Sequence, residues 1–61
     1  MAKMLKFNDK DNIVIGVLTD KIIVCAETID VSYLDTDIEK AIIGIEDAVS
    51  SLKRILAQYN D

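Results

Sequence analysis

The sequence has no histidine, tryptophan or proline, and it has one cysteine and two glycines among its 61 residues. A single cysteine cannot form an internal disulfide, and a structural zinc site needs about four cysteine or histidine ligands. A chain of about 60 residues buries only about 60% of its unfolded surface when it folds alone, so small domains usually need an additional stabilising element. We therefore expect self-association to supply that stability.

The missing histidine also removes most routes to catalysis. No Ser-His-Asp or Cys-His arrangement can be built, and we interpret Cys25 as a small buried side chain. Gly16 and Gly44 stand alone, whereas a phosphate-binding loop needs several closely spaced glycines. The aspartates at 9, 11 and 20 lack the glycine and the remaining ligands of a calcium loop. The sequence predicts no enzyme, no cofactor and no metal site.

Positive charge is scarce, with 7 lysines and arginines against 11 acidic residues and a net charge of -4. This balance disfavours nucleic acid as a partner, because phosphate binding relies on lysine and arginine. The apolar runs at 13–18 and 22–26 are far shorter than the ~20 residues of a membrane helix. The first seven residues lack a secretory apolar stretch, and a lone cysteine fits a reducing compartment. We expect a cytoplasmic protein that binds no membrane.

The first half of the chain is rich in β-branched residues, which are typical of strands. Strands are predicted at about 3–7, 12–18 and 21–27, and alternating apolar residues add a short strand around 29–33. A cluster of turn-forming residues at 8–12 separates the first two strands. Strands 12–18 and 21–27 are expected to form an antiparallel hairpin.

The second half predicts one long helix at about 36–59. Thr36 and Glu39 have the spacing of a capping box. Apolar residues then recur at alternating intervals of four and three, at Ile38, Ile42, Ile45, Val49, Leu52, Leu56 and Tyr59. Ala41, Ala48 and Ile55 lie beside this stripe and widen it to that of a core-facing helix. The predicted fold class is α+β: a small antiparallel sheet of two or three strands followed by one long C-terminal amphipathic helix, in a single domain spanning 1–61.

Two features of this predicted fold require a partner chain. The strands are apolar on both faces, and one helix covers one face. The helix is about 36 Å long and a seven-residue strand about 23 Å, so the apolar stripe extends beyond the sheet. We therefore predict a homodimer or higher oligomer. The residues assigned to self-association are Ile43, Gly44, Ala48, Leu52, Ile55, Leu56 and Tyr59. Gly44 has two interpretations, a tolerated surface glycine or a site of close helix approach in which the neighbouring Ile43 packs against another chain.

The function predicted from these features is a non-enzymatic, acidic, homo-oligomeric interaction protein. It would bind a larger protein and adapt or inhibit it, and one version is a phage-type inhibitor that acts by charge mimicry. An acidic surface contributes orientation and association rate more than affinity. The residues predicted to contact the partner are Asp30, Tyr33, Asp35 and Asp37.

The alternative is a small-molecule binder, for example a nucleotide-binding or sequestering oligomer. Ligand pockets commonly form at interfaces between folded units, so several short chains could build a site that one chain lacks. The basic residues that could converge there from several copies are Lys21, Lys40, Lys53 and Arg54.

Overall fold

The computed structural model describes residues 4–59 as two helices, α1 (Asp9–Val31) and α2 (Asp35–Tyr59). Residues 32–34 connect them, and the two helices pack against each other as an antiparallel hairpin. The molecule measures 42 × 21 × 18 Å, so its length is close to that of one helix.

The predicted α+β fold is wrong, because the described residues 4–59 contain no strand. The predicted strands at 12–18 and 21–27 lie wholly inside α1, and the predicted strand at 29–33 covers the end of α1 and the connection. Residues 4–7 precede α1 in irregular conformation, and residue 3 of that predicted strand lies outside the described residues. The chain is a helical hairpin.

The turn-forming cluster at 8–12 begins a helix. Asn8 is the N-cap of α1: it has extended backbone angles, and its Oδ1 accepts a hydrogen bond of 2.7 Å from the Asp11 amide. Asn is among the preferred N-cap residues because its side chain satisfies an amide that has no partner within the helix. Asp9 and Asp11 place negative charge at the positive end of the helix dipole. The same residues that resemble a turn are therefore a helix start.

Thr19 does not interrupt α1, although it separates the two apolar runs in the sequence. Its hydroxyl donates a 2.8 Å hydrogen bond to the Ile15 carbonyl, four residues earlier, and Thr28 donates in the same way to Val24. Each hydroxyl is thus satisfied by a carbonyl of the preceding helical turn, the arrangement by which threonine is accommodated inside a helix. The helix consequently runs through both segments that were predicted as separate strands.

The connection between the helices is short and hydrogen-bonded. The Ser32 amide donates to the Thr28 carbonyl at 2.9 Å and closes α1, and the Leu34 amide donates to Ser32 Oγ at 3.2 Å. The Leu34 carbonyl accepts the first helical bond of α2 from the Ile38 amide. Thr36 therefore lies within the first turn of α2 and not at its N-cap, so the predicted capping position is wrong.

The contact between the helices is built on a line of buried residues of α2, two of which are alanines. Ala41, Ala48 and Ile55 are buried and lie seven residues, or two helical turns, apart. Gly44 lies beside this line, and a β-carbon added there would be 2.8 Å from Cys25 Sγ. Because Ala41, Gly44 and Ala48 are small, α1 can approach α2 closely.

The matching face of α1 repeats with the same periodicity. Its half-buried apolar residues alternate at intervals of three and four, as expected for a helix that packs along one partner helix. They are Ile15, Leu18, Ile22, Cys25 and Ile29.

Aromatic contacts join the end of α2 to the start of α1. The rings of Phe7 and Tyr59 meet edge to face, with centroids 4.8 Å apart. The Asn8 amide donates to the Tyr59 hydroxyl at 3.1 Å, and that hydroxyl donates to an Asp11 carboxylate oxygen. Tyr59 therefore fixes the relative level of the two helices at the end opposite the connection.

Candidate functional site

One flank of the hairpin is apolar and faces solvent. On α2, Ile42, Val49 and Leu56 each follow a buried contact residue by one position, or about 100° around the helix. They remain 37–42% exposed. We call these three residues the bulky row. Because Gly44 lies on the other side of the contact line, the bulky row occupies the flank opposite Gly44.

The α1 side of the same flank carries smaller side chains. Asn12, Thr19 and Ala26 are exposed and also repeat every seven residues. We call them the small row. The half-buried Ile15 and Ile22 lie between the small row and the contact with α2. The apolar flank is defined by the two rows together with the half-buried residues beside them, Ile15, Ile22, Ile38, Ile45 and Leu52.

The opposite flank of the hairpin is polar and charged. Lys21 lies near Gly44, with its Cε 3.7 Å from the position of an added β-carbon. Asp37 and Lys40 line a shallow hollow, open to solvent, together with Thr28 of α1. The two flanks therefore differ in their composition. Ionisable side chains line the polar flank, whereas the residues that define the apolar flank are uncharged and have Glu46 and Lys53 at their edge.

The connection between the helices forms a second exposed surface, which we call the turn tip. Tyr33 is 100% exposed and Leu34 is 60% exposed. Exposed carboxylates surround them, and Asp35 uses Oδ1 to accept a 2.9 Å hydrogen bond from the Thr36 amide. The turn tip comprises Asp30, Val31, Tyr33, Leu34, Asp35 and Asp37. It contains all four residues predicted to contact a larger protein.

The residues predicted to mediate self-association occupy different environments. Ala48 and Ile55 are buried against α1, and Gly44 lies against Cys25 of the same chain. Leu52 and Tyr59 are half-buried. Ile43 is 59% exposed but lies away from the apolar flank, and Leu56 belongs to the bulky row. Ile43 and Leu56 are therefore the exposed members of that set, and of these two Leu56 lies on the apolar flank.

Sequence reasoning missed the apolar surface of α1. Ile13, Val17, Val24 and Val31 are exposed on the side of α1 that faces away from α2. The signal was present as a seven-residue interval between the three valines, but the interpretation as strands assigned these residues to alternating sheet faces. A helix that is apolar on several sides is normally covered on more than one of them.

The titratable groups of the described residues offer little reactive chemistry. Across residues 4–59, no group of three or more cysteine, aspartate or glutamate side chains is placed to hold a metal ion. Cys25 is a free, half-buried thiol. The hydrogen bond to Asp11 raises the pKa of Tyr59 above 10.0, with smaller contributions from desolvation and the Asp11 charge, while the bond from the Asn8 amide lowers it. This arrangement connects the helix ends and presents no open site.

The fold and its surfaces define an acidic helical hairpin with one apolar flank and an acidic, aromatic turn tip. In the described part of the chain, neither helix is long and apolar enough to cross a membrane. Protein-family models, curated proteins and solved structures show no significant match to this chain.

Proposed function

We propose that this chain is a non-enzymatic, homo-oligomeric interaction protein that binds a larger protein through the turn tip and adapts or inhibits it. The observation that carries the proposal is the fully exposed Tyr33, next to the largely exposed Leu34, in a segment that also carries the exposed Asp30, Asp35 and Asp37. The proposal includes a cytoplasmic location, which the unpaired thiol of Cys25 supports.

The turn tip has the chemistry of a protein-binding site. Tyrosine is enriched among residues that dominate binding energy, because its ring buries a large area and its hydroxyl finds a polar partner. Asp30, Asp35 and Asp37 would meet lysine or arginine on the partner and increase the association rate. The short connection between two helices limits the ordering entropy lost on binding. A basic surface with an apolar pocket is therefore the partner chemistry that fits best.

The small-molecule alternative has weaker support. The hollow near Asp37 and Lys40 contains one basic side chain and is open to solvent, whereas ligand pockets usually bury most of their ligand. Native mass spectrometry of the purified protein tests this alternative, because a retained small molecule would favour the ligand binder.

The experiment begins with capture of partners from host lysate by the tagged chain, followed by affinity measurement with the purified partner. The tip variant replaces Asp30, Tyr33, Asp35 and Asp37 with alanine. Loss of an interface hot spot costs at least about 2 kcal/mol, so the dissociation constant should rise about 30-fold. The salt dependence of binding should also decrease.

A matched control removes the same number of carboxylates elsewhere. Asp20, Glu46 and Asp47 are exposed and lie outside the turn tip. Their replacement by alanine should change affinity much less than the tip variant does. Circular dichroism and thermal unfolding establish that both variants fold. If the folded tip variant bound as tightly as the wild type, the turn tip would not be the binding surface.

A further inference from the structure

The chain exposes more surface than a folded monomer of its mass should. Its accessible surface is 5110 Å², whereas a monomeric protein of 6.8 kDa is expected to expose about 4,000 Å². The radius of gyration is 14.0 Å, compared with about 10.5 Å for a compact domain of this length. The excess, about 1,100 Å², slightly exceeds the roughly 800 Å² that each partner buries in a stable protein interface.

The apolar flank is better suited to be buried than the outer side of α1. Ile13, Val17, Val24 and Val31 are more exposed there, but the exposed Asp20 and Glu27 share the seven-residue repeat of Ile13. The residues that define the apolar flank carry no ionisable side chain, so covering them would bury no unpaired charge.

Helix α2 has three series of apolar residues that repeat every seven positions. They are Ile38, Ile45 and Leu52; Ala41, Ala48 and Ile55; and Ile42, Val49 and Leu56. Two such series are enough for a pair of helices, and a third is typical of helices in a larger bundle.

The two rows of the apolar flank match each other in height along the hairpin. Gly44 lies level with Cys25, and Tyr59 lies level with Asn8. Because the helices are antiparallel, the levels of the other residues follow from these two contacts. Each member of the bulky row lies within about one residue of the level of one member of the small row. The resulting pairs are Ile42 with Ala26, Val49 with Thr19, and Leu56 with Asn12.

We propose that the apolar flank pairs with the same flank of a second copy to form a four-helix bundle. This interface rests on the homo-oligomeric part of the proposed function and gives it a specific geometry. The two-fold axis runs parallel to the helices, so α1 of one subunit faces α2 of the other at an unchanged level. Ile42 then packs against Ala26 of the partner subunit and Leu56 packs against Asn12 of the partner subunit, so the two largest side chains of the bulky row each meet a smaller one. Val49 meets Thr19 of the partner subunit at the centre.

The other two-fold arrangement fits these residues less well. An axis perpendicular to the helices would place each helix against its own copy. Val49 and Thr19, which are similar in size, would each face their own copies. On either side of them, Ile42 would face Leu56 of the partner subunit and Asn12 would face Ala26 of the partner subunit. Large side chains would hold the two α2 helices apart while small side chains left a gap between the α1 helices, and such gaps destabilise a packed core.

Sedimentation and native mass spectrometry at micromolar concentration test the interface. The wild type should have twice the mass of one chain. Val49→Lys places a charge in the centre of the interface and should shift the protein to monomer. Ile43→Lys is the matched control, since Ile43 is an exposed apolar residue of α2 outside the apolar flank, and it should remain a dimer. A monomeric wild type would overturn both the interface and the homo-oligomeric function.

An oligomer that survives Val49→Lys would overturn this interface alone. Because that variant could also lose its fold, disulfide cross-linking provides a second test. Chains carrying Thr19→Cys and chains carrying Val49→Cys, both with Cys25→Ala, are mixed and oxidised. A disulfide should join the two kinds of chain, and Val49→Cys chains alone should give no cross-link. Cross-linking of Val49→Cys to itself, or none in the mixture, contradicts the proposed arrangement.

Discussion

Gly44 and Gly16 occupy helix interiors, where glycine usually destabilises, but their surroundings differ. A β-carbon at Gly44 would be 2.8 Å from Cys25 Sγ, whereas a β-carbon at Gly16 would have no neighbour within 4 Å. Of the two interpretations that the sequence left for Gly44, the structure favours close helix approach. The approaching helix is α1 of the same chain, which no local pattern around Gly44 could indicate.

The two glycines should therefore respond differently to alanine. Gly16→Ala should increase the free energy of unfolding by about 1 kcal/mol, the usual difference in helix propensity. Gly44→Ala should lose this gain, because the new methyl group displaces Cys25. Urea unfolding at one fixed protein concentration measures both effects, since the proposed homodimer would make stability depend on concentration.

A double-mutant cycle isolates the cause. In a Cys25→Ala background the sulfur is absent, and Gly44→Ala should regain most of the helix-propensity benefit. The coupling between the two sites should be at least about 0.5 kcal/mol, as for other residues in contact. If Gly44→Ala were as stabilising as Gly16→Ala in the wild-type background, the close approach at Gly44 would be wrong.

At the scale of elements, α1 shows why strand propensity misled the prediction. Its β-branched residues favour strands by tenths of a kcal/mol each, within a scale that spans about 1 kcal/mol and depends on context. Full burial of an isoleucine or leucine contributes about 1.5–3 kcal/mol. The residues of α1 that face α2 are half-buried and gain part of this each, so their packing together outweighs the propensity. The intervals of three and four from Ile15 to Ile29 were visible in the sequence. Continuous apolar residues around them hid this periodicity.

Helix α2 was the more predictable element. The sequence indicated a helix at about 36–59, and the structure has it at Asp35–Tyr59. What the pattern did not reveal is which side of the apolar stripe α1 covers. The stripe predicted from isoleucine and leucine spacing includes Ile42, Val49 and Leu56, whereas the buried line consists of Ala41, Ala48 and Ile55. Alanine side chains allow two helices to pack closely, so α1 packs against Ala41 and Ala48 and leaves the bulky row exposed.

Tyr59 connects the two elements and should titrate abnormally. Its hydroxyl proton is held by Asp11, so the pKa of Tyr59 is higher in the folded chain than the ordinary 10.0. A folded state that binds a proton more tightly than the unfolded state gains stability from it. That contribution is fully present below pH 10 and disappears as the pH rises through the elevated pKa. High pH should therefore loosen the contact between the helix ends.

Phenolate absorbance in a Tyr33→Phe variant measures this directly, because Tyr59 is then the single tyrosine. The midpoint should be higher in native buffer than in concentrated urea, and Asp11→Asn should lower the native midpoint. Identical midpoints in buffer and urea would contradict the role of Asp11.

At the scale of the whole molecule, the charge of -4 opposes self-association. Two copies repel each other most strongly at low ionic strength, where the screening length is about 30 Å at 0.01 M salt and about 8 Å at 0.15 M. The homodimer should therefore tighten roughly tenfold between these conditions, an order-of-magnitude Coulomb estimate. Sedimentation equilibrium at both salt concentrations measures the change.

The salt dependence separates the two proposed surfaces. Binding of a basic partner to the turn tip should weaken with salt, whereas pairing through the apolar flank should strengthen. Replacing Asp20 with asparagine and Glu27 with glutamine makes the net charge less negative, from -4 to -4 + 2 = -2, and leaves the apolar flank unchanged. The salt effect on the dimer should therefore be smaller. A dimer that dissociated as salt increased would indicate an interface built on ion pairs.

The sequence by itself determined the acidic character, the absence of histidine chemistry, the long second helix and an excess of apolar side chains over what 61 residues can bury. Only the tertiary structure decided that residues 9–31 form a helix, that Gly44 meets Cys25, and that the bulky row faces solvent. Composition and periodicity are properties of the sequence itself and can be read from it without knowledge of which residues meet in the fold. The choice between strand and helix in α1 depended on side chains more than 15 residues away, whose burial outweighs any local preference.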